Sequence, residues 1–264
     1  MKASLNYQAL KNGQPVSDAL VVEVPVQLFI EGEPLTVSMC TPTHIREWAF
    51  GILFTEGIIR SAEQVTSYSE EIEEHQITLR VTLANAANAV TNKRSLLSVS
   101  ACGICGKTAF EPKTLSDDER SSMTLRDDRE ADDEQSSMTL REDIAKMMVQ
   151  LREVQTLFEE TGGCHAAGVF NKNQELLFAS EDIGRHNAVD KVVGSLVIHQ
   201  QLREAKYLMV SGRVSYEIVA KCFAAGIPHL AAVSSPSSLA VDYAKELGIS
   251  LFAFCRENRI TQYA

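Results

Sequence analysis

The second half of the sequence alternates short apolar stretches with longer amphipathic ones, and this alternation constrains the fold more than any other feature. Short runs rich in β-branched residues predict strands, and longer runs with helical periodicity predict helices. The predicted order is a helix, two strands joined by a turn, and three helix–strand pairs: 144–160, 164–170, 175–179, 185–199, 207–210, 214–225, 229–233, 237–247 and 250–254. Helices and strands in this order form right-handed βαβ units on a mostly parallel sheet. We therefore predict an α/β domain over residues 143–264.

The first half is predicted to form a smaller α+β unit. Its expected elements are strands at 20–32 and 34–39, a helix at 43–54 and a strand at 76–83. The turn at Glu31-Gly32 makes the first two strands a hairpin, and Thr43 is the expected N-cap of the helix. We predict that this unit covers residues 1–115 and ends in a loop that contains two cysteines.

Residues 116–142 separate the two units and carry most of the net charge of −10. The stretch 116–143 contains eleven acidic residues and four arginines, so the rest of the chain is close to neutral and can still bear a local anion site. Ten residues from Asp117 recur in nearly the same form from Asp132, and two copies are too few for a solenoid. A charged, duplicated stretch of low hydrophobicity is typical of a linker. An acidic arm for a basic partner is the alternative.

The loop at the end of the first unit carries two cysteines between glycines, in the segment 102–106. Glycines let the backbone fold tightly and leave both sulfurs uncovered. Backbone N–H groups and the ammonium group of Lys107 favour a thiolate, which lowers a cysteine pKa below its ordinary value of about 8.5 and makes the sulfur a better nucleophile. The sequence therefore predicts a protein that handles sulfur, with Cys102 and Cys105 as the reactive residues.

The other four cysteines stand singly in apolar surroundings, at positions 40, 164, 222 and 255. This usage favours a reducing compartment over a disulfide framework. The sequence contains no run of about 18 apolar residues, so no membrane span is predicted. Met1 to Leu20 lacks the apolar stretch of an export signal. We expect a cytoplasmic protein without a membrane partner.

Polar clusters follow the predicted parallel strands at the point where each strand ends. They are Ser211-Gly212-Arg213, Ser234 to Ser238, and Arg256 to Arg259. Ligands bind beyond the carboxyl ends of such strands, and hydroxyls, free N–H groups and arginines there favour a phosphate. The simpler alternative for each cluster taken alone is that Ser235 or Ser237 caps a helix and that Arg213 lies in solvent.

The segment 179–191 is the densest group of charged and amide side chains in the chain. Loops on rigid scaffolds often carry functional residues, and Asp182, Arg185 and His186 are the candidates here. The structural alternative is that Asp182 caps the following helix and that Asp190 pairs with a nearby lysine or arginine.

A second glycine turn at 161–167 places His165 at the entry to a strand. A lone histidine in such a position is more often a satisfied polar residue than a ligand. We therefore leave His165 outside the predicted site.

These motifs together resemble those of the FdhD/NarQ family, accessory sulfurtransferases that are needed to activate formate dehydrogenases. The matching stretches, in order, are 23–35, 41–59, 102–106, 161–167, 181–191, 208–219, 224–241 and 252–259. Several long motifs in one order are far more specific than a two-cysteine motif alone. Only the N-terminal residues and the duplicated acidic stretch fall outside the resemblance.

The resemblance implies a relay of sulfur from a cysteine desulfurase to the molybdenum cofactor before its insertion into a formate dehydrogenase apoprotein. Cys102 matches the family's persulfide carrier, and Cys105 is the second thiol. The cofactor, in its bis(molybdopterin guanine dinucleotide) form, is a bound substrate, and no permanent metal is expected. The guanine nucleotide ends would supply the phosphates, and neither a nucleic-acid nor a membrane partner is expected.

The family associates its cofactor with the segment that matches 254–259. Together with the strand-end clusters and the 179–191 segment, this gives the full set of expected cofactor-binding residues: Phe254, Cys255, Arg256, Glu257, Asn258, Arg259, Ser211, Arg213, Ser234, Ser235, Asp182, Arg185 and His186.

The resemblance also implies a fold, a C-terminal three-layer domain of the cytidine deaminase type, and the two-part shape suggests a homodimer. Zinc deaminases pair His-x-Glu with a later Pro-Cys-x-x-Cys. His165-Ala166-Ala167 lacks the glutamate, and no Pro-Cys-x-x-Cys follows. Deamination is therefore not expected.

Three alternatives to a sulfur carrier remain. A redox pair of the thioredoxin type usually opens a helix near a βαβ unit, whereas Cys102 and Cys105 precede a charged linker. A structural zinc site needs about four ligands, so Cys164 and His165 or a second subunit would have to contribute. A chaperone would bind the cofactor or the apoprotein without carrying sulfur.

Overall fold

The computed structural model describes residues 1–84, 134–256 and 259–264, and their strands form three sheets. Strands β1 (Ser4–Lys11) and β2 (Gln14–Val21) pair as an antiparallel hairpin. This hairpin was not predicted, because most of its side chains are exposed and the alternation of Leu5, Tyr7 and Ala9 with polar residues does not continue into the second strand.

The first unit contains a four-stranded sheet in the order β4-β3-β6-β5. Its strands are β3 (Val24–Ile30), β4 (Glu33–Cys40), β5 (Val65–Ile72) and β6 (Ile77–Leu83). The hairpin about Glu31-Gly32 and the strand over 76–83 are confirmed. Strand β5 was not predicted, because this edge strand is mostly exposed and lacks an apolar face.

Helix α1 (Ile45–Thr55) follows β4, and its N-cap is His44 rather than Thr43. The prediction of Thr43 as the cap was wrong because the Thr43 hydroxyl accepts a hydrogen bond from the buried Lys191 ammonium group instead. Tertiary contacts therefore take the side chain that local sequence would assign to the helix end.

The predicted helix at 144–160 is two helices, α2 (Glu134–Glu153) and α3 (Thr156–Thr161). The break between them has a cause in the fold: the Glu181 carboxylate accepts hydrogen bonds from the backbone N–H groups of Leu157 and Phe158, each at 2.8 Å. This caps a new helix start. Helix α2 begins at Glu134, inside the stretch that the sequence analysis treats as a linker.

The second unit is built on a six-stranded sheet in the order β12-β11-β10-β9-β7-β8. In chain order its strands are β7 (His165–Asn171), β8 (Leu176–Asp182), β9 (Ala205–Val210), β10 (His229–Ala232), β11 (Ser250–Arg256) and β12 (Arg259–Gln262). The helices between them are α4 (Arg185–Ile198), α5 (Tyr216–Ala224) and α6 (Ser238–Glu246).

This sheet is mixed, so the expectation of a mostly parallel sheet was wrong. Only β9, β10 and β11 run parallel to one another. The hairpin β7–β8 joins antiparallel to β9, and β12 turns back antiparallel on β11. Short turns that return the chain beside its own strand impose antiparallel pairing at both edges, while helices impose parallel pairing in the centre.

The two units share one hydrophobic core, which includes Trp48 of α1 and Val193 of α4. Helices α1 and α4 approach each other backbone to backbone. A Cβ atom on Gly194 would overlap the carbonyl oxygen of Glu47, and one on Gly51 would overlap that of Asp190. Glycine at both positions is thus what lets α1 seat against α4.

Within the described residues, no helix combines the length and the apolar character that crossing a membrane would require.

Candidate functional site

The carboxyl ends of β9, β10 and β11 lie side by side and bring the three predicted clusters to one edge of the sheet. The backbone N–H of Val214 donates to the Ser235 carbonyl at 3.1 Å, which joins the first cluster to the second. The Phe254 N–H donates to the Ser234 carbonyl at 3.2 Å, which joins the second to the third. The clusters therefore form a continuous rim.

Ser211 lies in the rim but has a structural partner. Its hydroxyl accepts a hydrogen bond from the Ala166 N–H at 2.9 Å, and its own N–H donates to the Ala166 carbonyl at the same distance. These bonds fix the loop 211–213 against the start of β7. Arg213, at the end of this loop, is exposed.

The serines of the second cluster have different roles. Ser237 caps α6, since its hydroxyl accepts a hydrogen bond from the Ala240 N–H at 3.2 Å. This confirms the capping alternative for Ser237. Ser234 and Ser235 are half-buried, and their carbonyls are engaged as described above.

The third cluster follows an irregular end of β11, where the pairing register with β12 shifts and Phe254 has a φ of 55°. The Arg256 Nε donates to the Val233 carbonyl at 3.2 Å. The Arg259 guanidinium stacks on the Phe254 ring, 5.1 Å from its centre. Glu257 and Asn258 lie outside the described residues. Two arginines are thus held at the rim by contacts at the end of β11.

Asp182 is inside the fold rather than at the rim. Its Oδ2 lies 2.6 Å from the Lys191 Nζ, and both side chains are fully buried. The same carboxylate accepts hydrogen bonds from the N–H groups of Thr41 and Gly184 and from the Asn187 side chain. Asp182 therefore positions the start of α4, where Arg185 and His186 lie.

Changing Asp182 to Asn should lower the free energy of unfolding by about 3 kcal/mol, because it leaves a buried ammonium group without its counter-charge. Urea unfolding measures the effect. Asp242→Asn, at an exposed carboxylate, is the matched control and should change stability by less than about 0.5 kcal/mol. Equal stability of both variants would mean that the Asp182–Lys191 pair is not buried.

Arg185 and His186 begin α4 and reach different neighbours. The His186 Nε2 lies 3.0 Å from a Glu217 carboxylate oxygen and 3.1 Å from the Ser215 hydroxyl, both at the start of α5. The Arg185 Nε is buried and has no hydrogen-bond partner in the described parts of the chain. His186 thus contacts α5, while the Arg185 Nε is left without a partner as far as the structure describes the chain.

Asp190 pairs with Lys221 across α4 and α5, with 2.7 Å between its Oδ1 and the Nζ. The Thr55 hydroxyl donates to the same Oδ1. This confirms the structural alternative, in which Asp190 pairs with a lysine. Because Asp190 lies one turn after His186, and Lys221 one turn after Glu217, the two pairs form successive layers between the helices.

His165 and Glu217 are the residues near the rim that the sequence analysis left out. His165 begins β7, and its Nδ1 would lie 3.3 Å from a Cβ atom on Gly212. Arg185 packs on the same glycine, so the histidine and the arginine flank one loop. The only sequence signal for His165 was its place in a glycine turn. Glu217 gave none, since an acidic residue in the first turn of a helix is common.

The four cysteines in the described ranges are all buried and make poor nucleophiles. Burial, with a contribution from the Glu181 carboxylate, raises the pKa of Cys164 to about 12. Burial likewise raises the pKa of Cys255 to about 11 and the pKa values of Cys40 and Cys222 above their usual range. The predicted reactive pair, Cys102 and Cys105, lies outside the described residues.

An open cleft of about 340 Å³ lies away from the rim, between the end of α4 and the loop before β5. Arg60, Glu63 and Arg203 contribute to its lining. Because Arg203 precedes β9, this cleft belongs to the amino ends of the parallel strands, opposite to the rim. The strand-end clusters are therefore the better candidate site.

Known proteins resemble this chain along almost its whole length. The FdhD/NarQ family profile matches residues 21–264. The sulfur carrier protein FdhD of Mycolicibacterium paratuberculosis is 39% identical over 266 residues, which covers 96% of this chain and 93% of that protein. The protein of the same name from Saccharolobus solfataricus is 35% identical over 251 residues, covering 94% of this chain and 89% of that one.

A solved structure shares the fold. The crystal structure of a protein from Desulfotalea psychrophila, assigned as a formate dehydrogenase accessory protein, superposes with a TM-score of 0.68 at 23% identity. The superposition covers 99% of this chain and 96% of that one. With a family match over residues 21–264 and relatives of 35 to 39% identity along almost the whole length, the chain belongs to the FdhD/NarQ family.

Proposed function

We propose that this protein is a sulfur carrier required for formate dehydrogenase activity, and that Cys102 carries the sulfur as a persulfide. The observation that carries the proposal is the state of the other cysteines: four of the six are buried with raised pKa values. A protein that carries sulfur on cysteine is thereby left with Cys102 and Cys105. The relatives described above bear the name sulfur carrier protein, which supports the same assignment.

The transfer is an ordinary thiol exchange. The Cys102 thiolate attacks the outer sulfur of a persulfide on a cysteine desulfurase, a new S–S bond forms, and the donor cysteine leaves as a thiolate. Cys102 then holds the outer sulfur as –S–SH. Attack by the Cys105 thiolate on the Cys102 sulfur would expel that outer sulfur as hydrosulfide and leave a disulfide between the two cysteines.

The proposed acceptor is the molybdenum cofactor in its bis(molybdopterin guanine dinucleotide) form, which binds as a substrate at the rim of strand-end clusters. Arg256 and Arg259 lie at one end of this rim, and Arg185 and Arg213 lie at the other. Arginine recognises phosphate through paired N–H donors. Two separate groups of arginines suit a ligand with more than one diphosphate.

A mass measurement tests the carrier role directly. After incubation with a cysteine desulfurase and cysteine, the intact protein should gain about 32 Da, the mass of one sulfur atom, and lose it on reduction. Stoichiometric zinc without this adduct would favour a structural metal site instead. Absence of both would favour a cofactor-binding chaperone.

Alanine at Arg256 or Arg259 should weaken the binding of guanosine diphosphate by about tenfold, because each change removes a charge-assisted hydrogen bond. Isothermal titration calorimetry measures the affinity. Arg60→Ala, in the cleft at the opposite edge, is the matched control and should bind as the unchanged protein does. Unchanged affinity in both rim variants would remove the segment 254–259 from the site.

The same function implies the partners. The sulfur donor is a cysteine desulfurase, the recipient of the finished cofactor is a formate dehydrogenase apoprotein, and the carrier acts in the cytoplasm as a homodimer. The homodimer is tested by the molar mass in solution.

A further inference from the structure

His165 and two arginines come from elements that are far apart in sequence, and they meet at the loop 211–213. His165 begins β7, Arg185 begins α4, and Arg213 follows β9. The side chains of Arg185 and His165 both pack against Gly212. A Cβ atom on that glycine would lie 3.2 Å from the Arg185 Cβ and 3.3 Å from the His165 Nδ1. A larger residue would crowd the imidazole and the aliphatic part of the Arg185 side chain. Both side chains therefore pack against the backbone of this loop.

The charges around His165 are mostly positive. Burial lowers the pKa of His165, and the neighbouring Arg185, Arg213 and His186 lower it further. Asp182 is the opposing acidic group, but its charge is already balanced by Lys191 at 2.6 Å. The neutral form of the imidazole is thus favoured more than in a free histidine, in a surrounding that attracts an anion.

Arg185 has capacity to bind such an anion. Its Nε is buried without a hydrogen-bond partner in the described ranges, and a buried donor without an acceptor is costly. A phosphate oxygen is an acceptor of the size and charge that would satisfy it.

Building on the function proposed above, we propose that His165, Arg185 and Arg213 bind one phosphate group of the substrate, and that His165 takes up a proton when that group binds. The proton passes from the buffer to a ring nitrogen, and the imidazolium then donates a charge-assisted hydrogen bond to a phosphate oxygen. The histidine is a binding residue in this account, and no bond to sulfur is made or broken there.

The sign of the pH dependence follows from linkage. A phosphate anion beside His165 raises the pKa of the imidazole in the complex above its lowered pKa in the free protein. Protonated histidine is therefore favoured only when the ligand is bound, and affinity increases as the pH falls towards the pKa of the free histidine. Above the pKa of the complex, the imidazole is neutral in both states and its proton contributes nothing.

The test is calorimetry with guanosine diphosphate and, separately, inorganic pyrophosphate, on the full chain and on His165→Asn. Titrations at about pH 6.5 and about pH 8.5, in buffers with different ionisation enthalpies, report the number of protons taken up. Titration of the ligand's own phosphate is the same for both proteins and cancels in the comparison. We expect the variant to bind about tenfold more weakly at the lower pH, with little difference at the higher pH, and to lose the extra proton uptake.

The outcomes separate this inference from the proposed function. Binding of guanosine diphosphate with equal affinity and proton uptake in both proteins would overturn the role of His165 and leave the nucleotide-bearing substrate intact. Binding of pyrophosphate alone, with proton uptake that is lost in the variant, would support the phosphate site and count against the nucleotide. Binding of neither ligand would overturn both. His165→Gln, with thermal unfolding of each protein, guards against loss of fold.

Discussion

Replacing Cys102 with alanine should abolish the roughly 32 Da adduct and the activation of a formate dehydrogenase, while the protein remains folded. The physical reason is that none of the four cysteines in the described ranges can take over the step. The thiols of Cys164 and Cys255 are buried, and their pKa values of about 12 and about 11 leave almost no thiolate at neutral pH. A carrier that lacks its nucleophile loses the transfer entirely rather than in part.

Cys222→Ala is the matched control, because it removes a thiol that is completely buried in α5 and donates to the Ile227 carbonyl. We expect this variant to keep both the adduct and the activation, with a stability loss of about 1 kcal/mol from the missing contact. The activation is measured by adding each variant to apoenzyme in an extract that lacks the carrier. Restored dehydrogenase activity with Cys102→Ala would refute the carrier role of that sulfur.

Cys105→Ala distinguishes the two thiols. If Cys105 only releases the sulfur, its alanine variant should still gain the adduct but retain it when the acceptor is supplied. Loss of the adduct itself would instead make Cys105 part of the loading step.

The sequence was most informative where strands are buried on both faces. The predicted strands at 207–210, 229–233 and 250–254 differ from β9, β10 and β11 by only a few residues at their ends. Uninterrupted apolar runs between helices have few other ways to satisfy their side chains. The same pattern also allowed the position of the strand-end clusters to be predicted, because the carboxyl ends of neighbouring parallel strands lie side by side.

Strand direction at the sheet edges could not be predicted in the same way. The run that became β7 is as apolar as that of β9, yet the two strands pair antiparallel. Burial alone does not distinguish the directions, because both sheet types cover their faces equally well. The exposed hairpin β1–β2 was missed for the opposite reason, since strands without a buried face leave no periodic signal.

The roles of charged residues in the segment 179–191 depended on contacts that no local pattern encodes. Asp182 and Arg185 are three positions apart and looked alike as site candidates. The carboxylate turned inwards to Lys191 and to the backbone of Thr41, while the Arg185 Nε beside Gly212 has no hydrogen-bond partner among the described residues. Only the packing of the first unit against α4 decides which of the two side chains makes internal contacts and which stays available for a ligand.

That packing has a severe geometric requirement, and alanine at Gly194 should cost at least about 5 kcal/mol of unfolding free energy or prevent folding. A methyl group at this position would overlap the Glu47 carbonyl oxygen on α1, which is backbone and cannot rotate away. Helix propensity alone would favour alanine by about 1 kcal/mol. The expected sign is therefore opposite to that of a usual glycine-to-alanine change in a helix. Moving α1 outwards to make room would open the core around Trp48 and Val193.

Gly163→Ala provides the control for this prediction, and urea unfolding followed by circular dichroism provides the measurement. The nearest atom to a methyl group at Gly163 is the Val21 Cγ1 at 3.2 Å, the end of a side chain that can shift. We expect that variant to lie within about 1 kcal/mol of the unchanged protein. A Gly194→Ala protein as stable as the control would show that α1 and α4 do not touch through their backbones. The two units would then meet through side chains alone, and the rim would lose the rigid support that α1 gives to the start of α4.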